Sequence, residues 1–407
     1  MIKDDATKEN ATDANVSKWN KRTAAVHGGT RRSQYGEVSE AMFLTQAFVY
    51  DTAEAAEQRF IKSGPDEFIY ARYGNPTNRM FEDRLAALEG TEDAFACASG
   101  MAAVNGALMA LTKAGDHVVS SRALFGSCLY VLEDILGRFG VEITLVDGTD
   151  NAAWEGAIRE DTSVVFLEAI SNPTLEVIDL EHVVRLAHAN DALVIVDNAM
   201  PTPVFSYATR LGADLVVYST TKHVDGQGRM LGGAICGSRE LIRGPIETYV
   251  KHTGGAINPF AAWTHLKALE TMDLRVRAQA QSAMQVAEAL AGHDKLSDMR
   301  YPQHPSHPEH AIAMQQSPSG GTVLAIEVKG GKDACFRFLN ALEIFTISNN
   351  FADSKSIATH PATTTHQRLP QEQKDTLGIS DGLVRLSIGL EDVDDLIADL
   401  ERGLNAV

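Results

Sequence analysis

Seven short apolar runs recur between residues 94 and 236, and helical patterns separate several of them. Runs of this length that are rich in Val, Ile and Leu predict strands buried on both faces. Strands that alternate with helices form a mainly parallel sheet, which helices cover on both sides. The sequence therefore predicts an α/β fold in which ligands bind beyond the carboxyl ends of the strands. The predicted strands are Ala94–Cys97, His117–Ser120, Glu142–Val146, Ser163–Leu167, Leu193–Asp197, Leu215–Tyr218 and Gly233–Cys236.

The stretches between these strands include amphipathic patterns that predict covering helices. A longer helical pattern follows Asn258-Pro259 and meets no obvious breaker until Gly292. We expect this long helix to link a large domain to a smaller one. The predicted helices are Ala102–Lys113, Cys128–Arg138, Leu180–His188 and Ala261–His293.

A chain of 407 residues is too long for one simple core, which predicts at least two domains. We divide it into an N-terminal segment over 1–72 with a polar, disordered start, a large domain over 73–275 and a C-terminal domain over 276–407. The polar segment 347–369 falls inside the last domain, and we expect it to line a site because long loops in compact domains are often functional. The C-terminal domain is predicted to contain strands near Thr322–Val328 and Leu383–Ile388, and helices near Lys332–Ala341 and from Asp392.

Charge and cysteine usage exclude several kinds of partner. The 54 acidic residues outnumber the 36 basic ones, and the net charge of −18 argues against nucleic acid or an anionic membrane as partner. The sequence lacks a stretch of 18 apolar residues, and its start lacks the apolar region of a signal peptide. Four scattered cysteines suit a reducing compartment, so we expect a cytoplasmic protein. The histidine-rich pieces have irregular spacings, and we expect no metal site.

A lysine follows the predicted strand Leu215–Tyr218 after three hydroxyl residues, in the order Ser-Thr-Thr-Lys at 219–222. A lysine just past a buried strand end, beside groups that can bind an anion, is a candidate for Schiff-base chemistry. The same four residues also occur in solvated loops, so Lys222 alone leaves both interpretations open. Its meaning depends on whether other segments supply the rest of a cofactor site.

Small residues follow the predicted strand Ala94–Cys97 at the start of a helix. Glycine and alanine at such a turn let backbone N–H groups approach a phosphate, and the helix N-terminus favours the anion. Gly100 and Met101 are thus candidate phosphate ligands, although a tight turn that needs glycine for steric reasons explains the pattern equally well. Ser219 and Thr221 add hydroxyl donors to the same phosphate, unless they only cap the strand end.

Three further side chains have the chemistry of a ring site and a substrate site. Asp197 ends an apolar strand, where an unpaired carboxylate is costly, and it can pair with the nitrogen of a pyridine ring. Phe125 follows a strand–turn unit and can stack on a planar ring, although a phenylalanine is more often a core residue. Arg385 lies in an apolar strand and can bind a carboxylate bidentately, with a structural ion pair as the alternative. Cys128 is expected to be a packing residue.

Five motifs occur along the chain in the order in which a known family has them. The chain from about Thr23 to its end resembles the cystathionine γ-synthase/γ-lyase family of Cys/Met metabolism, whose members depend on pyridoxal 5'-phosphate (PLP). The resemblance implies PLP as the cofactor and the PLP-dependent transferase fold (aspartate aminotransferase-like, fold type I), with a PLP-binding large domain and a substrate-binding C-terminal domain. The motifs are Tyr-x-Arg-Tyr-x-Asn-Pro-Thr at 70–77, Ala-Ser-Gly-Met-Ala-Ala at 98–103, Ser-Asn-Pro at 171–173, Val-Asp-Asn at 196–198 and Ser-Thr-Thr-Lys at 219–222.

The resemblance also implies roles for the residues that bind the cofactor. Lys222 matches the lysine that joins the cofactor covalently and later moves protons. Asp197 matches the partner of the ring nitrogen, and Phe125 stands where the family stacks an aromatic residue on the ring. The positions that match the phosphate-binding residues of the family are Gly100, Met101, Ser219 and Thr221.

A second group of matched residues concerns the neighbouring subunit and the substrate. Tyr70 and Arg72 match residues that reach the phosphate of the neighbouring subunit's cofactor, which implies active sites shared across dimers within a homotetramer. Asn172 and Arg385 match substrate-binding positions, Arg385 through the α-carboxylate. Asn350 takes the place of a serine that the family uses in the same region.

Within the family, the phrases at 225–229, 347–350 and 360–366 resemble the sulfhydrylase branch. This likeness implies γ-replacement in methionine biosynthesis, in which O-succinyl-L-homoserine and sulfide give L-homocysteine and succinate. An O-acetyl substrate, cysteine as the nucleophile, and elimination by a γ-lyase stay open as alternatives. Phe125 replaces a tyrosine that is common in the family, so stacking survives but a proton-carrying phenol is lost. This departure favours Lys222 as the proton carrier and weighs against a lyase that relies on the tyrosine.

Overall fold

Two β-sheets organise the computed structural model, which describes residues 19–64 and 66–407. Residues 1–18, which belong to the predicted disordered start, lie outside the described part of the chain. The strands are β1 (Asp93–Cys97), β2 (His117–Ser121), β3 (Glu142–Val146), β4 (Thr162–Glu168), β5 (Leu193–Asp197), β6 (Leu215–Ser219), β7 (Gly233–Gly237), β8 (Leu296–Arg300), β9 (Val323–Val328), β10 (Thr346–Ile347), β11 (Ile357–Thr359) and β12 (Leu383–Ser387).

The larger sheet contains the seven strands predicted between residues 94 and 236, in the order β1-β7-β6-β5-β4-β2-β3. Successive residues of a strand belong to different cores on the two faces of the sheet. In β4, Val164 and Phe166 pack into one core, whereas Val165 and Leu167 pack into the other. Burial on both faces explains why these strands are continuous apolar runs, and the α/β class is confirmed.

Most of the larger sheet is parallel, as predicted, and β7 is the exception among the described strands. It runs antiparallel to both of its neighbours, β1 and β6. The connection from β6 to β7 is a loop over residues 220–232 without a crossover helix, so the chain returns in the opposite direction. That loop begins with the segment that contains Lys222.

The smaller sheet has the order β10-β11-β12-β9-β8. Its strands β9 and β12 agree with the predicted ones, whereas the short strands β8, β10 and β11 were not predicted. The long predicted helix begins at Pro259, because Asn258 caps it through the N–H of Ala261, and it ends at Leu290. Its first part packs into a core of the larger sheet and its last part into the core of the smaller sheet. The helix therefore links the two sheets, and the predicted domain boundary between residues 275 and 276 falls within it.

Several of the remaining helices pack against the sheets, whereas the helix Ala53–Ile61 has no buried residue. Within the described residues, no helix is long and apolar enough to cross a membrane. Short π-helical turns occur at Val131–Leu136 and Ile242–Ile246, and 3₁₀ turns at Thr209–Leu211 and Pro361–Thr363. The α-helices are α1 (Lys21–His27), α2 (Ala53–Ile61), α3 (Pro76–Glu89), α4 (Gly100–Leu111), α5 (Gly126–Tyr130), α6 (Asn151–Ala157), α7 (Leu180–His188), α8 (Thr202–Phe205), α9 (Arg239–Leu241), α10 (Glu247–Thr253), α11 (Pro259–Leu290), α12 (His310–Gln316), α13 (Gly331–Ala341), α14 (Gln371–Thr376) and α15 (Val393–Asn405).

Candidate active site

A cleft opens where the carboxyl ends of β4, β5 and β6 face the smaller sheet. Parallel strands bring their carboxyl ends to one edge, so residues far apart in sequence meet there. Nine of the twelve residues predicted for the site line this cleft: Gly100, Met101, Phe125, Asn172, Asp197, Ser219, Thr221, Lys222 and Arg385.

One end of the cleft is formed by the start of α4 and the end of β6. Ser99 caps α4 by accepting a hydrogen bond from the N–H of Ala102 at 3.1 Å, which starts the helix two residues earlier than predicted. The first N–H groups of a helix point toward its N-terminal end. A Cβ atom on residue 100 would lie 2.7 Å from the Cβ of Ser219, so the close approach of helix and strand requires Gly100. Helix N–H groups beside a serine hydroxyl form a site that fits a phosphate.

Lys222 extends into the middle of the cleft. Its Nζ donates a hydrogen bond to Oδ1 of Asn350 and lies 4.7 Å from the centroid of the Phe351 ring. The preceding residue, Thr221, is held by the loop before β7, because its hydroxyl donates to the carbonyl of Gly232 at 3.2 Å and accepts from the N–H of that residue at 3.1 Å. The lysine amine therefore stands between the end of β6 and the segment that follows β10.

Burial, together with the positive charge of Arg385, lowers the pKa of Lys222 to about 8 against the attraction of Asp197. A buried ammonium is costly because it loses its hydration, so the neutral amine becomes available near physiological pH. A neutral amine is the form that attacks a carbonyl carbon or removes a proton.

Asp197 and Glu168 lie side by side at the ends of β5 and β4, where they are paired in the sheet register. Desolvation raises the pKa of Asp197 to about 6, while a hydrogen bond from the N–H of Ala199 and the charge of Lys222 oppose that shift. Burial and the charge of Asp197 raise the pKa of Glu168 well above its usual range. The pair thus favours one negative charge over two, and a cation such as a protonated ring nitrogen would stabilise the charge on Asp197.

Arg385 is fully buried in β12 and connects the cleft walls. Its guanidinium donates to Oδ1 of Asn172 at 2.7 Å, and to the carbonyls of Asn349 at 3.1 Å and Asn350 at 2.8 Å. Within the described residues its Nε has no hydrogen-bond partner. An unpaired N–H on a buried cation fits an incoming carboxylate, and burial lowers the pKa of Arg385 to about 10.

Phe125 lies at the start of α5 with 36% of its surface exposed, and its ring lines the cleft. Cys128, one turn later, is 1% exposed and packs in a core of the larger sheet. Burial, reinforced by the charges of Asp197 and Glu168, raises the pKa of the Cys128 thiol well above its usual range. The thiolate is therefore disfavoured, which agrees with the expected packing role.

Tyr70, Arg72 and Asn350 are the predicted site residues that do not line the cleft of their own chain. Arg72 lies over the rings of Tyr70 and Tyr73, with its guanidinium carbon 5.4 and 5.0 Å from their centroids. It also donates a hydrogen bond to the carbonyl of Lys251. Asn350 lies behind the cleft wall and reaches the site through its bond to Lys222.

The cleft also contains residues that the sequence did not single out, notably Glu168, Phe351 and Thr365. Glu168 had a signal, because it follows an apolar strand in the same way as Asp197 does. Phe351 and Thr365 belong to the segment 347–369, which does line the site as expected. No local pattern distinguishes these two residues from their neighbours.

Within the described residues, one cluster of side chains could share a metal ion, and it belongs to the floor of this cleft. The thiol of Cys128 and the carboxylates of Glu168 and Asp197 lie within 4.8 Å of one another. None of the histidine-rich pieces contributes to it. The prediction of no metal site stays a prediction.

These groups fit PLP at three points. The start of α4 and the Ser219 hydroxyl fit its phosphate, Asp197 fits its ring nitrogen, and the amine of Lys222 can reach a carbonyl held between them. Gly100 is needed for this cradle, because any side chain there would collide with Ser219.

Comparisons with known proteins also indicate a PLP-dependent enzyme. A model of the Cys/Met metabolism PLP-dependent enzymes matches residues 22–405. The chain is 48% identical over 387 residues to the O-succinylhomoserine sulfhydrylase of Mycobacterium tuberculosis, and the aligned region covers 94% of this chain and 95% of that protein. It is 43% identical over 385 residues to the O-succinylhomoserine sulfhydrylase of Pseudomonas aeruginosa, with 95% of both chains covered.

A solved structure of similar shape belongs to a Campylobacter jejuni protein described as a candidate O-acetylhomoserine (thiol)-lyase. The two structures superpose with a TM-score of 0.91 at 30% sequence identity, over 95% of this chain and 100% of that one. The Campylobacter structure contains N'-pyridoxyl-lysine-5'-monophosphate, a lysine joined to the cofactor.

Proposed function

The chain belongs to the Cys/Met metabolism family of PLP-dependent enzymes, and we propose that it converts O-succinyl-L-homoserine and sulfide to L-homocysteine and succinate, a step of methionine biosynthesis. PLP is its cofactor. The observation that carries this proposal is the likeness over nearly the whole chain to two relatives that bear the name O-succinylhomoserine sulfhydrylase. An O-acetyl substrate, cysteine as nucleophile, and γ-elimination are the competing activities.

The proposed reaction replaces one bond at the substrate Cγ by another. The bond from Cγ to the acyl oxygen breaks and succinate leaves with the bonding electrons, while the sulfur of sulfide forms the new bond to Cγ. When bound, PLP supplies a carbonyl that joins the substrate amine and a ring that accepts electrons from the substrate carbons. The protein must supply binding, orientation and proton transfer.

Orientation of the substrate is the proposed role of Arg385 and Asn172. The unpaired Nε of Arg385 is available to the α-carboxylate, and Asn172 Oδ1 holds the other side of the guanidinium at 2.7 Å. A guanidinium that is fixed on its other side can hold a carboxylate in a defined position. On the opposite side, Asp197 would hold the proton of the ring nitrogen and Phe125 would stack on the ring.

Proton transfer is the proposed role of Lys222. Its amine takes the proton from Cα, moves a proton at Cβ, and returns a proton when the product forms. Burial keeps a useful fraction of the amine neutral, because its pKa lies at about 8. Phe125 has no proton to give, so it cannot share this work as a tyrosine at the same position could.

We further propose that the active sites are shared across dimers within a homotetramer, in which Tyr70 and Arg72 reach the phosphate site of the neighbouring subunit. Several apolar side chains of the N-terminal segment support association: Tyr35, Val38, Val49 and Phe60 are 84%, 91%, 98% and 67% exposed in the single chain. Burial of these side chains against another subunit would remove apolar surface from water. We also propose a cytoplasmic location, since all four cysteines are free and buried.

A purified-enzyme assay separates the candidate activities. Each acyl ester, O-succinylhomoserine and O-acetylhomoserine, is supplied with sulfide, with cysteine, or with neither, and homocysteine, cystathionine and α-keto acid are measured. The proposal expects homocysteine from the succinyl ester and sulfide as the fastest reaction. Faster cystathionine formation from cysteine, a faster O-acetyl ester, or α-keto acid as the main product would overturn it in favour of the corresponding alternative.

Mixing two inactive variants tests the shared site. Lys222→Ala and Arg72→Ala subunits are denatured together and refolded, so that half of the dimers are mixed. One site of each mixed dimer then contains both native residues, and activity should return to roughly a quarter of the wild-type value. If the mixture stays as inactive as the separate variants, Arg72 acts within its own chain.

A further inference from the structure

Glu168 lies at the floor of the cleft without a role in the proposed chemistry. It ends β4 beside Asp197 of β5, and the register of these parallel strands places both side chains on the same face of the sheet. Only 5% of its surface is exposed. A buried carboxyl group is costly unless its oxygens are hydrogen-bonded, so the identity of its partners indicates what it holds in place.

The two carboxylate oxygens of Glu168 have different backbone partners. Oε1 accepts a hydrogen bond from the N–H of Phe125 at 2.6 Å, and Oε2 accepts one from the N–H of Asn172 at 3.1 Å. Phe125 belongs to the connection after β2, whereas Asn172 belongs to the connection after β4. One side chain thus joins two separate segments, and both segments line the cleft.

Each segment contributes a different wall of the site. Phe125 lines the cleft in which the cofactor ring is proposed to lie, and the Asn172 side chain accepts a hydrogen bond from Arg385 at 2.7 Å. The contacts from Phe125 through Glu168 and Asn172 to Arg385 therefore form a continuous path from the cofactor wall to the substrate wall. Displacement of either backbone segment would change the space between ring and substrate, and small misplacements of this kind are costly in catalysis.

We propose that Glu168 is a positioning residue that ties the backbone of Phe125 to that of Asn172 and thereby fixes the separation of the cofactor wall from the substrate wall. This inference rests on the proposed roles of Phe125 and Asn172. The two backbone N–H groups stabilise the carboxylate form of Glu168 and lower its pKa, whereas burial and the negative charge of Asp197 raise it.

The test uses two substitutions with graded effects. In Glu168→Gln the side chain keeps its shape but has only one acceptor oxygen, so one of the two backbone ties is lost. In Glu168→Ala both ties are lost. The measurements are the visible circular dichroism of bound PLP, which reports how the ring is held, the dissociation constant of PLP, and the KM and kcat for the acyl ester.

We expect the dichroism band to change in both variants, and the PLP dissociation constant and the KM to rise about tenfold in Glu168→Ala and about threefold in Glu168→Gln. Glu82→Gln is the matched control, since Glu82 is also a buried glutamate that accepts a backbone N–H, from Ala96 at 3.0 Å, but does not line the cleft. It should lower thermal stability and leave the dichroism band and KM unchanged.

Wild-type dichroism, PLP affinity and KM in Glu168→Ala would overturn the proposal. So would an equal change in Glu82→Gln, because the effect would then be one of general stability. If Glu168→Ala does not fold, Glu168→Gln decides alone, and an unchanged dichroism band in that variant refutes the tie. The dichroism and PLP affinity need no substrate, so they decide the role of Glu168 even if the preferred acyl ester differs from the one proposed.

Discussion

At the carboxyl ends of the strands of the larger sheet, the candidate functional side chains lie at or shortly after the strand ends. Across the cleft, they come from an irregular segment and from one strand of the smaller sheet. We call these the sheet side (Gly100, Phe125, Asp197, Ser219 and Lys222) and the segment side (Asn349, Asn350, Phe351, Thr365 and Arg385). Strand registers fix Asp197 and Ser219, and the other three residues follow strand ends within a few positions. The second group depends on a few contacts around the Arg385 guanidinium.

Because the two sides are held in place differently, we expect them to have different roles in catalysis. Groups that hold the cofactor and move protons need fixed positions, and hydrogen-bonded strand ends supply them. Arg385, which is proposed to hold the substrate, lies on the segment side and binds the backbone carbonyls of residues 349 and 350. If the division is real, substitutions on the sheet side should act mainly on kcat and those on the segment side mainly on KM.

The largest expected effect is on the sheet side, in Lys222→Ala. Removal of the amine eliminates both the proposed covalent attachment of PLP and the proposed proton carrier, so kcat for the acyl ester and sulfide should fall at least about 10³-fold. Lys113→Ala is a matched control, because that lysine is 85% exposed and does not line the cleft, and it should keep wild-type kcat. A Lys222→Ala enzyme with more than a few per cent of wild-type activity would contradict the assignment.

Arg385→Lys tests the segment side and should have the next largest effect. Lysine keeps the charge but cannot hold the Asn172 side chain, two backbone carbonyls and a substrate carboxylate together. We expect the KM of the acyl ester to rise about 100-fold, with a smaller fall in kcat. Arg277→Lys, at a half-exposed position on α11, is the control and should leave both constants unchanged. A fall confined to kcat would mean that the two sides do not divide the work.

Sequence patterns predicted the sheet side well. Each of its residues follows an apolar run, and the apolar composition of such a run indicates a buried strand. Asp197 and Lys222 follow Leu193–Val196 and Leu215–Tyr218, and the structure has strands at both runs. Glu168 was missed although it has the same pattern, since the predicted strand stopped at Leu167. The strand includes Glu168 because its register with Asp197 extends to that residue, and register is a tertiary property.

The segment side could be predicted only as a segment. Its strands β10 and β11 have two and three residues, too short for a periodicity to be seen. The bond between Asn350 and Lys222 joins residues 128 apart, and the Phe351 ring contacts both Lys222 and Arg385. Such contacts depend on how the smaller sheet is placed, which no local pattern determines. Family resemblance identified Asn350 as a site position but not its partner.

Phe125→Tyr changes a residue of the sheet side and should have a moderate effect on the ratio of α-keto acid to homocysteine. A phenol beside the cofactor ring adds a second proton carrier next to Lys222, and we expect α-keto acid formation to rise a few-fold relative to homocysteine. Both products are measured in one reaction mixture with sulfide. Phe139→Tyr is the control, since Phe139 is 58% exposed and outside the cleft, and it should not alter the ratio. An unchanged ratio in Phe125→Tyr would mean that this position does not explain the preference for replacement.

The smallest effect should come from Phe351→Leu. This substitution tests whether Phe351, on the segment side, affects the pKa of Lys222 on the sheet side. The neutral amine of Lys222 captures PLP, so capture by the cofactor-free protein should speed up as pH rises through the pKa of about 8. The face of the Phe351 ring, 4.7 Å from Nζ, stabilises the ammonium form, so its removal lowers the pKa and moves the profile to lower pH. A contribution of about 0.7 kcal/mol corresponds to about 0.5 pH unit.

Phe336→Leu is the matched control for this experiment. The Phe336 ring also faces an ammonium group, that of Lys332 at 5.5 Å, but it lies outside the lining of the cleft. Its replacement should leave the pH profile of PLP capture where it is. A shift to higher pH in Phe351→Leu would mean that the ring acts mainly by excluding water from the ammonium, since a smaller side chain would then admit water and raise the pKa. An unshifted profile would limit the segment side to holding the substrate.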